Sequence, residues 1–477
     1  MKQIIIVWFR NDLRLHDNEV LFQAVQDADQ IIPVYCLDPR HFETTKYGFA
    51  KTGVHRIKFL LESLKDLRHL LRDAGADLLV RWGKPEEILF ALAKYHRVKA
   101  VYCNQEVTDE ESRVEDALDH HLATINVPLE FFWGSTLFHF DDLTATQSLD
   151  RLPDVFTQFR QFAETNLTVR PLFNTPGQIE LPPNLSAGEI PELKDFLLSE
   201  PVADSRAVLS FAGGETQALL RLKYYLWEKD LLKTYEESRN ELIGGDYSTK
   251  LSPWLALGCL SPRLIFEEVK RYEQDIVKNK STYWLIFELM WRDYFRFIAM
   301  KYGNLLFKTT GIRQKTATGN RDWDRFNLWA QGKTGIPFID ANMRELNATG
   351  FMSNRGRQNT ASFLVRDMNI NWQMGAAYFE SRLIDYDVCS NYGNWNYVAG
   401  IGNDPRENRY FNILSQAKRY DPQGLYVKRW CPELKKLPST RIHEPYLLNE
   451  AEQRYVGVII GKNYPAPCID TGKWDQR

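Results

Sequence analysis

The sequence predicts an α/β doubly wound parallel-sheet domain at the N-terminus, followed by an all-helical domain. Three observations predict it. Short apolar runs alternate with amphipathic stretches in the first part of the chain, a proline-studded segment interrupts them, and helical spacing dominates from Gly214 to about Arg429. At 477 residues the chain also exceeds what one hydrophobic core organises.

Residues 4–8, 31–37, 77–81, 100–104 and 129–133 read as buried strands. Between them, 18–26, 53–74, 85–95 and 110–124 carry apolar residues at helical spacing. This βαβα order means a parallel sheet with right-handed crossovers, whose ligands lie beyond the carboxyl ends of the strands. No GxGxxG follows the first strand, so the ordinary dinucleotide fingerprint is missing. The first domain is therefore placed at 1–134. In 135–206, Pro153, Pro171, Pro176, Pro182, Pro183, Pro191 and Pro201 predict an extended connector running over the surface. The helical domain is placed at 207–430 and a short C-terminal tail at 431–477.

Composition narrows the chemistry. Net charge is −2, so contact with a polyanion must come from a local basic patch. No apolar run reaches the roughly 20 residues of a membrane span. Met1 to Phe9 runs straight into a strand pattern with no room for a leader, and the expectation is a cytoplasmic protein. Cys36, Cys103, Cys259, Cys389, Cys431 and Cys468 are scattered, which predicts reduced thiols. Between His139 and His443 there is no histidine, yet nine of the thirteen tryptophans lie there. That excludes a Ser-His triad or a His-ligated metal in this stretch. The tryptophans suit a core, a stacked planar ligand or an electron path alike.

Four segments carry candidate chemistry. Tyr247-Ser248-Thr249-Lys250-Leu251-Ser252-Pro253 sets hydroxyls and N–H groups before a proline-started helix, which suits an anion as well as ordinary capping. Lys250 adds charge, and Gly244-Gly245 permits close backbone approach. Glu288, Trp291, Arg292 and Phe295 fall at i, i+3, i+4 and i+7, so one helical face presents a carboxylate, an indole and a guanidinium. This fits a solvated ion pair beside a core tryptophan, or a face that stacks and hydrogen-bonds a base. Asn354 is positioned to cap the helix of Asn354-Arg355-Gly356-Arg357-Gln358-Asn359, and Asp385, Asp387 and several amides follow. Such groups are buried only when paired, by a polar ligand or by each other.

Trp8-Phe9-Arg10-Asn11-Asp12-Leu13-Arg14, the segment 247–253, Glu288 to Arg292, Asn354 to Arg357 and Asp385 to Trp395 occur in the order and spacing of the photolyase/cryptochrome family. The chain resembles that family over almost its whole length. The stretch from Asn391 through Gly402-Asn403-Asp404-Pro405-Arg406-Glu407 is particularly similar to its DASH cryptochromes. The resemblance implies FAD in the helical domain. Tyr235, Ser248, Thr249, Lys250, Leu251 and Ser252 would hold its phosphates, with Glu288, Arg292 and Asn354 also near it. Arg357 would pair with Asp385 beside the isoalloxazine, Asp387 would bond the ring edge and Asn391 would face N5. An amide there delivers no proton readily and suits an anionic reduced flavin. Trp395 and Trp372 match the first links of the family's electron path. The usual third position falls at Gly319, leaving Trp323 or Trp329 as the terminal donor.

By the same resemblance, Glu288 and Trp291 would contact a cyclobutane pyrimidine dimer. Tyr397 stands where DNA photolyases stack a second tryptophan, and Gln358 where a methionine packs. A less apolar pocket holds a flipped lesion less tightly, and flipping from a duplex costs a few kcal/mol that single strands do not require. The expectation is repair of dimers in single-stranded DNA, with Arg292, Arg355 and Arg406 on backbone phosphates. Glu110 would contact the pterin of a 5,10-methenyltetrahydrofolate antenna. The alternative is a blue-light receptor that binds DNA or a protein partner and signals without repair. A (6-4) photolyase is disfavoured, since that chemistry uses histidines near the lesion.

Overall fold

The computed structural model describes residues 2–474 apart from 318, 407 and 408, so Glu407 of the DASH-like stretch lies outside the described residues. Five strands, β1 (Ile4–Phe9), β2 (Gln30–Leu37), β3 (Leu79–Trp82), β4 (Ala100–Asn104) and β5 (Leu129–Phe132), form one parallel sheet in the order β3-β2-β1-β4-β5. Their connecting helices are α1 (Glu19–Asp27), α2 (Val54–Asp73), α3 (Pro85–His96) and α4 (Asp109–Ala123). The sheet is buried on both faces, as parallel sheets are. Ile6, Trp8, Ile32, Val34 and Val101 pack with Leu89, Leu118 and Leu122 of α3 and α4. On the opposite face, Ile5, Val7 and Phe9 join a core that continues into the helical domain.

The stretch read as a surface connector is more structured than its prolines suggest. It holds α5 (Phe140–Thr146) and α6 (Phe156–Asn166), and Phe156 and Phe159 are buried in the shared core. Its extended part is tied to the α/β domain: Ile179 N–H donates to the Ala74 carbonyl, and Ile31 and Val80 N–H donate to Glu180 and Ala187 carbonyls, at 2.7–2.8 Å. These backbone bonds are indifferent to the side-chain pattern, which is why the sequence hides them.

The helical part comprises α7 (Glu215–Lys223), α8 (Tyr235–Ser238), α9 (Ser252–Ala256), α10 (Pro262–Asp275), α11 (Lys280–Tyr302), α12 (Trp323–Ala330), α13 (Pro337–Thr349), α14 (Asn354–Ser362), α15 (Trp372–Arg382), α16 (Val388–Ala399), α17 (Ile413–Tyr420), α18 (Leu425–Trp430) and α19 (Glu450–Val456). The segment read as a tail belongs to its core. Leu434, Leu437, Ile442, Val458 and Tyr464 are buried there, and the Tyr464 hydroxyl donates to Asp340 at 2.8 Å.

The Trp8-to-Arg14 motif joins the two parts. Arg14 is buried and donates to the carbonyls of His16, Asp17, Gly134 and Gly258 at 2.9–3.0 Å. Asp17 pairs with Arg263 at 2.7 Å, and the His16 ring meets Glu215 at 2.6 Å. Gly258, at φ +65°, lies so close that a Cβ would stand 1.9 Å from the Asn11 carbonyl oxygen. Among the described residues, no helix is long and apolar enough to cross a membrane.

Candidate functional site

A cleft of about 620 Å³ opens in the helical domain between the loop before α9 and helices α11, α14 and α16. Tyr235, Ser248, Thr249, Lys250, Leu251, Ser252, Glu288, Trp291, Arg292, Asn354, Arg357, Gln358, Asp385, Asp387, Tyr397 and Arg406 all line it. Residues spread over the second half of the sequence thus converge on one cavity of ligand-binding size.

Arg221, unnoticed in the sequence, organises the loop. Its guanidinium takes the carbonyls of Gly245, Ser248 and Thr249 at 2.8–3.1 Å. Lys250 sits there at φ +55° and is only 3% exposed. Its ammonium lies 3.1 Å from the Tyr247 ring centroid and 3.4 Å from the Ser248 hydroxyl. Burial lowers its pKa to about 6. Lys250 is therefore not the standing positive charge its residue type suggests, and an adjacent anion is what would protonate it. The buried Tyr247 hydroxyl has no hydrogen-bond partner among the described residues. A hydroxyl, an under-bonded amine and a bend of backbone form a donor set that fits a phosphate.

On α11, Glu288 pairs with Arg239, a second residue the sequence did not disclose. Burial raises the Glu288 carboxyl pKa and Arg239 opposes the shift. Trp291 stacks on Phe156 with centroids 3.6 Å apart and planes 10° off parallel, while Tyr397 meets it edge-on at 6.3 Å and 86°. Arg292 lines the cleft, but its guanidinium is engaged within the protein, donating to the carbonyls of Ser135 and, at 3.2 Å, Leu255. Its expected role on a nucleic-acid backbone is corrected accordingly.

The α14 cap is Ser353, whose hydroxyl accepts from Gly356 N–H at 3.0 Å, while Asn354 is the exposed first helical residue. Both residue types cap well, so sequence alone favoured the wrong one. Arg355 is also engaged, with Gln358 at 2.8 Å, Asn240 at 3.0 Å and the Tyr420 ring at 4.5 Å, and so is not the free phosphate contact expected of it. Arg406 pairs loosely with Asp404 at 3.9 Å and keeps a side chain that is 70% exposed. Arg357 and Asp385 pair through two contacts of 2.9 and 2.8 Å, as expected, with the carboxylate buried.

Asp387 caps α16 by accepting from Ser390 N–H at 2.7 Å. Asn391, one turn on, is buried and donates to the Ala376 carbonyl at 3.1 Å, and it is not among the residues that line the cleft. Trp395 follows another turn later. Phe379 packs on it at 5.1 Å and the fully buried Trp329 at 6.4 Å. Phe326 links Trp329 to Trp323, 5.6 Å on each side, and Trp323 is 41% exposed. Trp372 is buried against Tyr392 at 6.2 Å. At Gly319 a Cβ would stand 2.9 Å from the Asn371 backbone, so this position has no room for a larger side chain without a shift.

A second cleft separates the α/β and helical parts. Glu110 stands at its mouth, largely exposed and paired with Lys51. Glu111 points further in, where burial raises its pKa to about 6. Among the described residues, no cluster could hold a metal ion.

Two family models match the chain: DNA photolyase over residues 5–177, and the FAD-binding domain of DNA photolyase over 284–477. Cryptochrome DASH of Gloeobacter violaceus is 54% identical over 466 residues, covering 98% of this chain and 93% of the relative. The chain is a DASH-type member of the photolyase/cryptochrome family. Cryptochrome DASH of Xenopus laevis is 51% identical, covering 99% of this chain and 91% of its own length. Among solved structures, the Synechocystis cryptochrome superposes with a TM-score of 0.96 at 51% identity, covering 99% of this chain and 98% of that one. A class III photolyase from Agrobacterium tumefaciens gives 0.86 at 30% identity, covering 100% and 96%. The chain is thus a blue-light flavoprotein of this family, with an FAD-binding helical domain.

Proposed function

We propose that the protein repairs cyclobutane pyrimidine dimers in single-stranded DNA, using light and reduced FAD held in the helical cleft. One observation carries this reading. The cavity that presents the phosphate-fitting loop and the Arg357–Asp385 pair also presents Glu288, Trp291, Gln358 and Tyr397. A cofactor and a lesion in this one cavity would lie within electron-transfer reach.

Residues 248–252 and Tyr235 would hold the diphosphate, with Lys250 charged once an anion lies beside it. Arg357 and Asp385 would flank the ring, and Asn391 would offer an oxygen rather than a proton. Bound there, FAD supplies the light-driven electron. The chain's residues do the rest. Glu288 would hydrogen-bond the bases and stabilise their added charge. Trp291 would stack one base on the face that Phe156 leaves open, and Arg406 would meet the backbone. Repair of this kind would be redox-neutral, the two cyclobutane bonds breaking with no net electron consumed. With Phe156 on one face of Trp291 and Tyr397 perpendicular to it, the pocket offers little parallel stacking to offset the cost of flipping a lesion from a duplex. That supports the single-strand preference.

Trp395 and Trp372 would be the first links of the electron path to the flavin, with Trp323, at the surface end of the aromatic row that runs through Trp329, as the terminal donor. The second cleft would take methenyltetrahydrofolate, its pterin against Glu110 and Glu111, and the expected location is the cytoplasm. The Arg239–Glu288 pair favours the second reading, a receptor that binds DNA without repair, because it engages the carboxylate within the protein. Illuminating the reduced protein with dimer-bearing oligonucleotides separates the two: loss of dimers supports repair, and their persistence despite normal flavin photoreduction supports the receptor.

A further inference from the structure

The wall opposite Trp291 is built on a buried carboxylate. Asp404 is 1% exposed, and Arg313 donates to its backbone carbonyl at 2.6 Å. Arg409 lies on the Asp404 side chain, through Nε and through an Nη contact of 3.3 Å. The same Nη donates to the Tyr397 hydroxyl at 2.9 Å, and the guanidinium carbon lies 4.9 Å from the Tyr397 ring centroid. A guanidinium only donates, so it holds the phenol oxygen as acceptor and the ring by its face. Turning the Tyr397 ring about its Cβ–Cγ bond toward a parallel arrangement with Trp291 leaves the hydroxyl in place but gives up the contact between the guanidinium and the ring face.

We propose that Arg409 is a positioning residue of the substrate pocket. Carried on Asp404, it fixes Tyr397 edge-on to Trp291, so the pocket stacks one pyrimidine of a splayed pair and meets the other with the tyrosine edge. This rests on the repair reading given above. Lysine does not substitute, because a point-like ammonium cannot bridge Asp404 and Tyr397 in one plane.

The test is a double-mutant cycle of Arg409→Gln and Tyr397→Phe in the flavin-loaded protein. Dissociation constants are measured by fluorescence anisotropy for a single-stranded oligonucleotide with one thymine dimer and for its undamaged twin, at two salt concentrations. Arg409→Gln is expected to weaken binding of the dimer about tenfold, the scale of one charge-assisted hydrogen bond, while changing undamaged binding less than about twofold. The double variant is expected to be no weaker than Arg409→Gln alone, since both changes break one unit. Arg409→Lys is expected to recover less than half of the loss, and retained flavin absorbance confirms that each variant is folded. Equal weakening on both oligonucleotides, with a shallower salt dependence, would make Arg409 a phosphate contact and overturn the inference. Additive losses in the double variant would overturn it as well. Identical affinity of the unaltered protein for both oligonucleotides would instead refute the repair reading, and with it any substrate role for Arg409.

Discussion

Replacing Arg357 with methionine keeps most of the side chain's bulk and removes the guanidinium that holds Asp385. The Asp385 carboxylate is only 2% exposed and accepts both contacts, at 2.9 and 2.8 Å, from Arg357. Breaking a buried pair from one side costs about 3–5 kcal/mol, and the 26% exposure of Arg357 places the expected cost near the lower figure. A loss of about 3 kcal/mol is a large part of the 5–15 kcal/mol typical of a folded domain. Two signals would be followed on heating: the circular dichroism of the helices and the fluorescence of released flavin. Arg357→Met is expected to melt earlier and to release flavin at a lower temperature. Adding Asp385→Asn removes the stranded charge and is expected to restore at least half of the stability but not the flavin retention, because both partners are proposed to flank the ring. A single variant as stable as the unaltered protein, or a double variant that regains flavin retention, would show that the Arg357–Asp385 pair does not hold the cleft in this way.

Three further outcomes are expected. Gly258→Ala forces a methyl into the Asn11 carbonyl at a left-handed backbone position, and should lower stability to urea by more than about 2 kcal/mol; an unchanged midpoint would show that the clamp between the two parts yields easily. Lys250 has a pKa of about 6 without a diphosphate beside it, so binding that anion takes up a proton at higher pH. Flavin affinity should therefore fall as pH rises above about 6, by at most tenfold per unit, and Lys250→Arg should flatten the profile. A pH-independent dissociation constant for flavin in the unaltered protein would contradict this. Trp329→Phe and Trp323→Phe should each slow light-driven flavin reduction, followed by absorbance, without loss of bound flavin. Unchanged rates in both would remove them from the electron path.

The α/β part was legible because both faces of a parallel sheet are buried: the strands stand out as apolar runs, and β4 matches its expected bounds of 100–104. The cleft was legible where chemistry is local, as in the loop 247–253 and the face of α11. What escaped depends on approach in three dimensions. Arg221, Arg239 and Arg409 bond to carbonyls, a carboxylate and a phenol brought near only by folding, and nothing in their immediate sequence marks them. The same reason explains Arg292 and Arg355: an arginine reads as a phosphate contact until the carbonyls and amides that occupy it are seen. Phe156 lay in a segment dismissed for its prolines, yet it covers Trp291. Spacing does not distinguish Trp323 from Trp329, whereas burial does: one lies at the surface and the other in the interior of the same aromatic row.

The most direct test of the account is dimer loss under blue light, measured with the reduced protein on matched single-stranded and fully paired oligonucleotides containing one thymine dimer. Rapid loss is expected in the single strand and little in the duplex, with Glu288→Gln slowing the former. Equal repair of both strands would contradict the reading of the pocket, and no repair of either, with flavin photoreduction intact, would contradict repair itself.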